Sequence, residues 1–213
     1  MGATSAGAAK AEAGKPEATR PEQAGAIRLD GYVAGRNRRL ALPQVEAIEL
    51  SLDTPDLETD LRFALDYWFQ KCAGRLAPTR ADIDPIDIAP LLPRVMLVDV
   101  GTDPVDFRFR LAGTGLFKIH GAELTNKRAL ELEPPAYGML IHRLFCDALV
   151  RRAPIAHRLL IECQTRRSAY LRIILPLSED GVVINRLLTV ESYADAAHDL
   201  RDCFEEARLS SGS

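Results

Sequence analysis

Residues 106–114 read DFRFRLAGT, and the fold can be worked out from them. Phe107, Phe109 and Leu111 alternate with two arginines, which is the period of a strand with one buried and one solvated face. A second β-rich stretch at residues 95–100 precedes it, and Gly, Thr, Asp and Pro at 101–104 are turn residues. The two stretches therefore predict an antiparallel hairpin.

Three further β-rich stretches follow toward the C-terminus, at residues 155–164, 168–177 and 182–190. The connections between them are short enough for hairpins, so these strands are also predicted to be antiparallel. A longer helix is predicted at about residues 137–152, because its apolar residues recur on one side at helical spacing. A shorter helix is predicted between Thr114 and Gly121, which are plausible start and stop residues.

Toward the N-terminus, a helix is predicted from Thr54-Pro55 to Gly74, with an apolar stripe that includes Leu61 and Trp68. Residues 1–25 have no apolar side chain larger than alanine after Met1, which predicts a disordered tail. Residues 26–53 are predicted to be an irregular arm, 54–193 the folded domain, and 194–213 a helical C-terminal tail.

The element order predicts an α+β fold: a five-stranded antiparallel sheet with helices packed on one face, plus an N-terminal helix. Four blocks of sequence agree with one known family, and they lie at residues 78–85, 92–95, 106–114 and 175–178. Together they resemble the PAS-like domain of alphaproteobacterial single-domain PAS proteins, formerly a domain of unknown function. Most of the matching residues are interpreted as structural, for example as helix starts and turns.

The resemblance implies a bacterial sensory or regulatory module that binds a small molecule, a protein partner, or both. The alternative is a ligand-free dimerisation or adaptor module. A third interpretation is a small α+β isomerase-like enzyme with a buried carboxylate such as Asp147 or Glu162. No nucleophile, phosphate-loop or zinc-protease motif is present, so we predict that the protein is not an enzyme and assign no catalytic residue.

A ligand pocket is expected between the helices and the inward side of the sheet. Its walls are predicted from large apolar residues on those elements, and its nearest polar group is a histidine of the longer helix. The predicted lining residues are Phe109, Phe117, His142, Phe145, Ile161 and Ile173. His157 is expected to face the sheet interior with Leu159 and Ile161.

The sequence does not identify a cofactor. In haem-binding PAS domains the axial histidine lies in the longer helix, but His142 falls on the edge of the apolar side of that helix. Light-sensing PAS domains carry a flavin-reactive cysteine in an Asn-Cys-Arg sequence, whereas this chain has Asn126-Lys127-Arg128. Haem and flavin are therefore not supported, and no metal site is predicted, since no two cysteines have zinc-ligand spacing.

Composition restricts the partners and the location. The net charge of −3 comes from interspersed acidic and basic residues, so we expect no binding to nucleic acid. There is no apolar run of membrane-spanning length and no signal-peptide pattern, so we expect a cytoplasmic protein. The four cysteines are expected to be free thiols in that compartment, and any signalling output is expected to pass through a partner protein.

A homodimer is predicted through the first helix. Phe63 and Tyr67 lie one helical turn apart and away from the apolar stripe, so they form an aromatic pair with no partner inside the helix. PAS-like domains commonly associate through the helix before their first strand, which this helix resembles. The alternative is that the arm folds back and covers both side chains.

Overall fold

The computed structural model describes residues 44–103, 105–163, 166–192 and 197–211, without the side chains of residues 197, 207, 208, 210 and 211. The predicted disordered tail and most of the predicted arm lie outside these residues. In chain order the elements are β1 (Gln44–Leu50), α1 (Thr59–Cys72), a 3₁₀ helix (Ala89–Arg94), β2 (Val95–Thr102), β3 (Val105–Ala112), α2 (Thr114–His120), a second 3₁₀ helix (Ala129–Glu131), α3 (Pro135–Arg151), β4 (Ile155–Glu162), β5 (Arg167–Leu177), β6 (Arg186–Ser192) and α4 (Ala197–Ser211).

The predicted α+β class with an antiparallel sheet is confirmed, but the sheet has six strands, in the order β1-β4-β5-β6-β2-β3. The additional strand is β1, which falls within the region predicted to be an irregular arm. It pairs antiparallel with β4, and Val45 and Ala47 lie opposite Ile161 and Leu159. Part of the arm is therefore an edge strand, not irregular chain.

The sheet is covered on both sides. Neighbouring residues of a strand point to opposite faces of the sheet. On one face, Glu191 contacts Arg172, which in turn donates a hydrogen bond to Tyr137 of α3. On the other face, the next residue, Ser192, donates a hydrogen bond to Glu58, just before α1. We call the face that carries Phe109, Arg172 and Glu191 the inner face, and the face with Ser192 the outer face. Helix α3 packs on the inner face and α1 on the outer face.

One predicted strand face differs in the structure. Phe107 and Phe109 are fully buried, as their alternation predicts, but Leu111 is 48 % exposed. The register of the β2–β3 pair shifts between Leu97 and Val98, which are opposite Leu111 and Phe109. This β-bulge turns Leu111 away from the inner face, and a bulge of this kind interrupts the simple alternation on which the prediction rests.

Two element starts were placed too early by the sequence. Helix α1 begins at Thr59, because the main chain at Thr54 forms a turn in which Leu57 donates to its carbonyl. Strand β6 begins at Arg186 rather than at residue 182. There the Asp180 carboxylate accepts hydrogen bonds from the backbone of Val182 and Val183, and this local side-chain bonding competes with strand pairing.

Backbone hydrogen bonds join the four sequence blocks that carry the resemblance. The amide of Gly113 donates to the carbonyl of Val95 at 2.8 Å. A Cβ atom at position 113 would lie 2.2 Å from the Leu92 oxygen, so glycine is required there by close approach. Likewise Ser178 donates to the carbonyl of Pro78 at 3.0 Å. The four blocks are thus joined in pairs by backbone contacts, which agrees with their structural interpretation.

Candidate functional site: a buried polar cluster beneath the C-terminal helix

The predicted pocket residues do not enclose one pocket. Phe109 and Phe145 are fully buried, and their ring centroids are 6.2 Å apart. Phe107, which was not among the predicted lining residues, lies 5.2 Å from Phe145 and 5.1 Å from the ring of His142. These rings fill the inner face next to β3 as packed core, and His142 lies at their edge.

Two of the predicted lining residues lie away from the others. Phe117 is 54 % exposed, because α2 turns that side chain outward while Leu116 and Ile119 are buried. Ile173 is buried but belongs to the outer face, since it lies next to Arg172 in β5 and the two point in opposite directions. Ile161 is buried on the inner face, in register with Val45 of β1.

The polar part of the inner face lies between β5 and β6. Arg172 and Glu191 are direct cross-strand partners, and both are 1 % exposed. The Arg172 Nε donates to Glu191 Oε1 at 3.1 Å, and its Nη2 also contacts that oxygen. Nη2 donates in addition to the hydroxyls of Tyr137 at 2.9 Å and Tyr170 at 3.3 Å. We call these four residues the Arg172 cluster.

Three secondary-structure elements position the cluster. Tyr170 is two residues before Arg172 in β5, so both point to the inner face. Tyr137 lies in the first turn of α3, and its hydroxyl is 2.7 Å from that of Tyr170. The strand pairing then brings Glu191 opposite Arg172. The cluster thus depends on the β5–β6 register and on the point at which α3 begins.

Burial determines the electrostatics of the cluster. It raises the pKa of the Glu191 carboxyl, and Arg172 offsets part of that effect. Burial likewise raises the pKa of Tyr137 to about 12, so both this hydroxyl and that of Tyr170, whose pKa is also well above its usual value, keep their protons at neutral pH. Burial alone would lower the pKa of Arg172, but the neighbouring tyrosines and Glu191 raise it overall.

The cluster has unused hydrogen-bonding capacity. Arg172 Nη1 is buried and has no hydrogen-bond partner among the described residues. The same holds for Nδ1 of His157, which is the cross-strand neighbour of Arg172 on β4, and for Oγ1 of Thr189 on β6. Buried polar groups are normally paired, so these three atoms are exceptions that packing alone does not explain.

Helix α4 covers this side of the inner face. Its residues Leu200, Cys203 and Phe204 are at most 1 % exposed. The Phe204 ring lies 4.5 Å from the ring of His120 and 5.1 Å from that of Tyr137, centroid to centroid. On its polar side, α4 is held by ion pairs from Arg166 to two of its aspartates, Asp199 and Asp202, at 2.9 and 2.6 Å.

The carboxylates considered for an enzyme are not buried ones. Glu162 is exposed and Asp147 is only partly buried, and among the described residues the buried carboxylate is Glu191. In the described ranges, no group of three or more His, Cys, Asp or Glu side chains is placed to hold a metal ion. No helix among the residues that the structure describes is long and apolar enough to cross a membrane.

The predicted dimer contact is only partly available. Phe63 is 44 % exposed, but Tyr67 is buried. The Tyr67 hydroxyl donates to Asp87 at 3.0 Å and accepts from the backbone amide of Asp84 at 2.9 Å. The Tyr67 hydroxyl is therefore bound by the segment that follows α1.

A surface groove lies away from the cluster. It has a volume of about 320 Å³ and is bordered by the β2–β3 turn, the end of α3 and the segment before β6. Its lining residues are Val100, Gly101, Thr102, Val105, Leu149, Arg152, Val182, Val183 and Ile184. None of them belongs to the predicted pocket, and Arg152 is the sole charged residue in this lining.

Comparison with known proteins gives one result. A family model described as PAS domain matches residues 58–189, which is more than half of the chain. The match includes β2 to β5 and most of β6, whereas α4 begins at Ala197, after the matched region. No curated protein and no solved structure shows a significant match.

Proposed function

Because the chain belongs to the PAS domain family, whose members are generically sensory and signalling modules, we propose that it senses a small molecule at the Arg172 cluster and reports binding through release of α4. The observation that carries this proposal is the position of α4. This helix lies outside the matched domain, yet its Phe204 ring packs against Tyr137, whose hydroxyl accepts a hydrogen bond from Arg172.

The balance of forces on α4 supports its release. Three buried side chains, Leu200, Cys203 and Phe204, hold a helix of 15 residues on its apolar side. Burial of these side chains favours docking, whereas the chain entropy lost on ordering the helix opposes it. The ion pairs of Arg166 are exposed and therefore weak. A modest change in the Arg172 cluster is thus sufficient to shift α4 between docked and released states.

The chemistry of the cluster restricts the ligand. Arg172 Nη1 needs an oxygen acceptor, and Thr189 Oγ1 and His157 Nδ1 add further polar contacts nearby. Arg172 and Glu191 already neutralise each other. A second buried negative charge would cost several kcal/mol, so we expect an uncharged oxygen, such as a carbonyl or a hydroxyl, rather than a carboxylate.

Native mass spectrometry of protein purified from its own host tests this proposal. We expect added mass from a retained small molecule, and hydrogen exchange in α4 should be faster in the loaded protein. Tyr137→Phe removes one hydroxyl from the cluster and should reduce retention. Tyr67→Phe is the matched control, since that hydroxyl bonds Asp87 far from the cluster. Retention unaffected by Tyr137→Phe, or no retained mass and no response of α4 to host extract, would refute the proposal.

The second candidate is a ligand-free adaptor that forms a homodimer through α1. It is favoured by an exposed aromatic residue on that helix, Phe63, at 44 % exposure. A two-fold contact would bury Phe63 against the same helix of a second copy. Light scattering over a concentration series should show a dimer that Phe63→Glu dissociates and the control Phe117→Glu leaves intact. A monomer at every concentration would remove this candidate.

A further inference from the structure

Two of the four cysteines meet at the base of α4. Cys163 directly follows β4 and is 5 % exposed, and Cys203 lies in α4 and is fully buried. The Cys163 Sγ donates to the carbonyl oxygen of Arg166 at 3.4 Å, and the Cys203 Sγ is 4.0 Å from the same oxygen. Both sulfur atoms thus lie next to the same carbonyl oxygen.

We propose that Cys163 and Cys203 are an oxidation site: a hydroperoxide converts them to a disulfide that fastens α4 to the end of β4. This inference goes beyond the sensing proposal, because the disulfide depends only on where the docked helix lies and not on any ligand. The other two cysteines belong to α1 and α3, where Cys146 contacts His142 at 3.7 Å. Neither shares the Arg166 oxygen in the described structure.

The chemistry proceeds in two steps. The Cys163 thiolate attacks the terminal oxygen of the hydroperoxide, the O–O bond breaks, and the departing oxygen takes a proton to leave as an alcohol, or as water from hydrogen peroxide. The Cys203 sulfur then displaces hydroxide from the Cys163 sulfenic acid, the S–O bond gives way to the S–S bond, and the Cys203 proton leaves in water. Two thiols lose two electrons in total, and one peroxide is reduced.

The environments of the two thiols assign these roles. Cys203 is fully buried in α4, and burial, with a further contribution from Cys163, raises its pKa to about 12. It is therefore a poor first nucleophile. Cys163 directly follows the end of β4 and is 5 % exposed, so it is slightly more accessible than Cys203. Cys163 thus reacts first, and Cys203 resolves the sulfenic acid.

The bond changes what holds α4 in place. In the reduced protein the ion pairs from Arg166 to α4 are largely exposed, so salt screens them. A disulfide at the same residue cluster is insensitive to salt. Oxidation would thus keep α4 docked over the Arg172 cluster under conditions in which the reduced protein releases it.

The test is oxidation of the folded full-length chain with tert-butyl hydroperoxide, followed by alkylation and peptide mapping without reduction. We expect an intramolecular Cys163–Cys203 link, a mass loss of about 2 Da, and exchange of α4 amides at least about tenfold slower than in reduced protein. Cys72→Ala and Cys146→Ala should leave the link intact, and Cys163→Ala should abolish both the link and the slowing.

Each contrary outcome has a definite meaning. A link between any other pair, or oxidation to sulfinic acid without a link, would refute the site. A Cys163–Cys203 link that leaves α4 exchange unchanged would refute the fastening. Since mapping uses the unmutated protein, the result does not depend on whether a cysteine variant folds. Failure of ligand sensing would instead appear in reduced protein, as α4 exchange that does not respond to host extract.

Discussion

The two halves of the inner face are equally buried, but one consists of apolar side chains and the other of charged and polar ones. Next to β3, Phe107, Phe109 and Phe145 contact one another as apolar rings. Between β5 and β6, Arg172 and Glu191 form an ion pair that is 1 % exposed on both sides. Apolar rings are stabilised by burial itself, whereas a buried charge is stable only if its partners stay in place. The comparison separates a half that maintains the fold from a half that could respond to a ligand.

The polar half adds little to stability by its presence. Removing two charges from water opposes folding by several kcal/mol per ion, and mutual attraction only offsets this. Replacement of such a pair by hydrophobic residues of similar volume is often neutral or stabilising. Helix α4 lies over this polar half.

The largest expected effect comes from breaking the ion pair on one side. Glu191→Leu leaves the Arg172 charge buried without its partner and should lower the free energy of unfolding by about 3–5 kcal/mol. Urea denaturation measures this change. The double variant Arg172→Met with Glu191→Leu should recover most of the loss, because it removes both charges. A double variant as unstable as the single one would show that the pair is essential for stability.

The apolar half should respond by cavity formation alone. Phe109→Ala removes a fully buried ring that contacts Phe145 and should cost about 3 kcal/mol. Phe117→Ala is the control, since Phe117 is 54 % exposed, and it should change stability by less than about 0.5 kcal/mol. Equal effects of the two substitutions would contradict the assignment of Phe109 to packed core and of Phe117 to the surface.

A smaller, pH-dependent effect is expected from His157, the cross-strand neighbour of Arg172. Burial lowers its pKa; Arg172 and Arg151 act in the same direction, whereas Glu49 and Asp147 oppose them. The unfolded chain takes up a proton at this histidine near about pH 6.5, and the folded chain does not. Below that pH the unfolded chain binds the proton more readily than the folded chain, so the free energy of unfolding decreases as the pH falls.

Thermal denaturation at about pH 7 and about pH 5 checks the effect of His157. His157→Gln should show a smaller decrease in melting temperature between the two pH values than the unmutated protein. His198→Gln is the control, because the His198 side chain is 83 % exposed. If His157→Gln and the unmutated chain lose the same number of degrees, another group controls the acid response.

Much of the fold was predictable because its signals are local. Alternation along residues 106–110 and the short connections between the last strands indicate an antiparallel sheet without knowledge of distant contacts. Strand β1 was missed because none of its seven side chains is fully buried, so the sequence has no clear apolar face there. Ile48, for example, is 45 % exposed. Its identity as a strand depends on pairing with β4, which is more than 100 residues away.

The site was not predictable to the same degree. Tyr170 and Arg172 alternate with apolar residues in β5, and an arginine within such a run is a signal that could have indicated a buried charge. Its partner could not be identified, because β6 begins four residues later than the sequence indicates, and that shift changes which residue lies opposite Arg172. Helical composition likewise predicts α4 but not which face of the sheet it covers.

The central claim is that α4 leaves the inner face without unfolding of the domain beneath it. Native-state hydrogen exchange measured across low denaturant concentrations tests it most directly. We predict that α4 amides exchange through an opening whose free energy is at least about 2 kcal/mol below that of global unfolding, while β5 amides exchange only with the whole domain. If α4 and β5 exchange with the same free energy and the same denaturant dependence, α4 is a fixed part of the core and the account is contradicted.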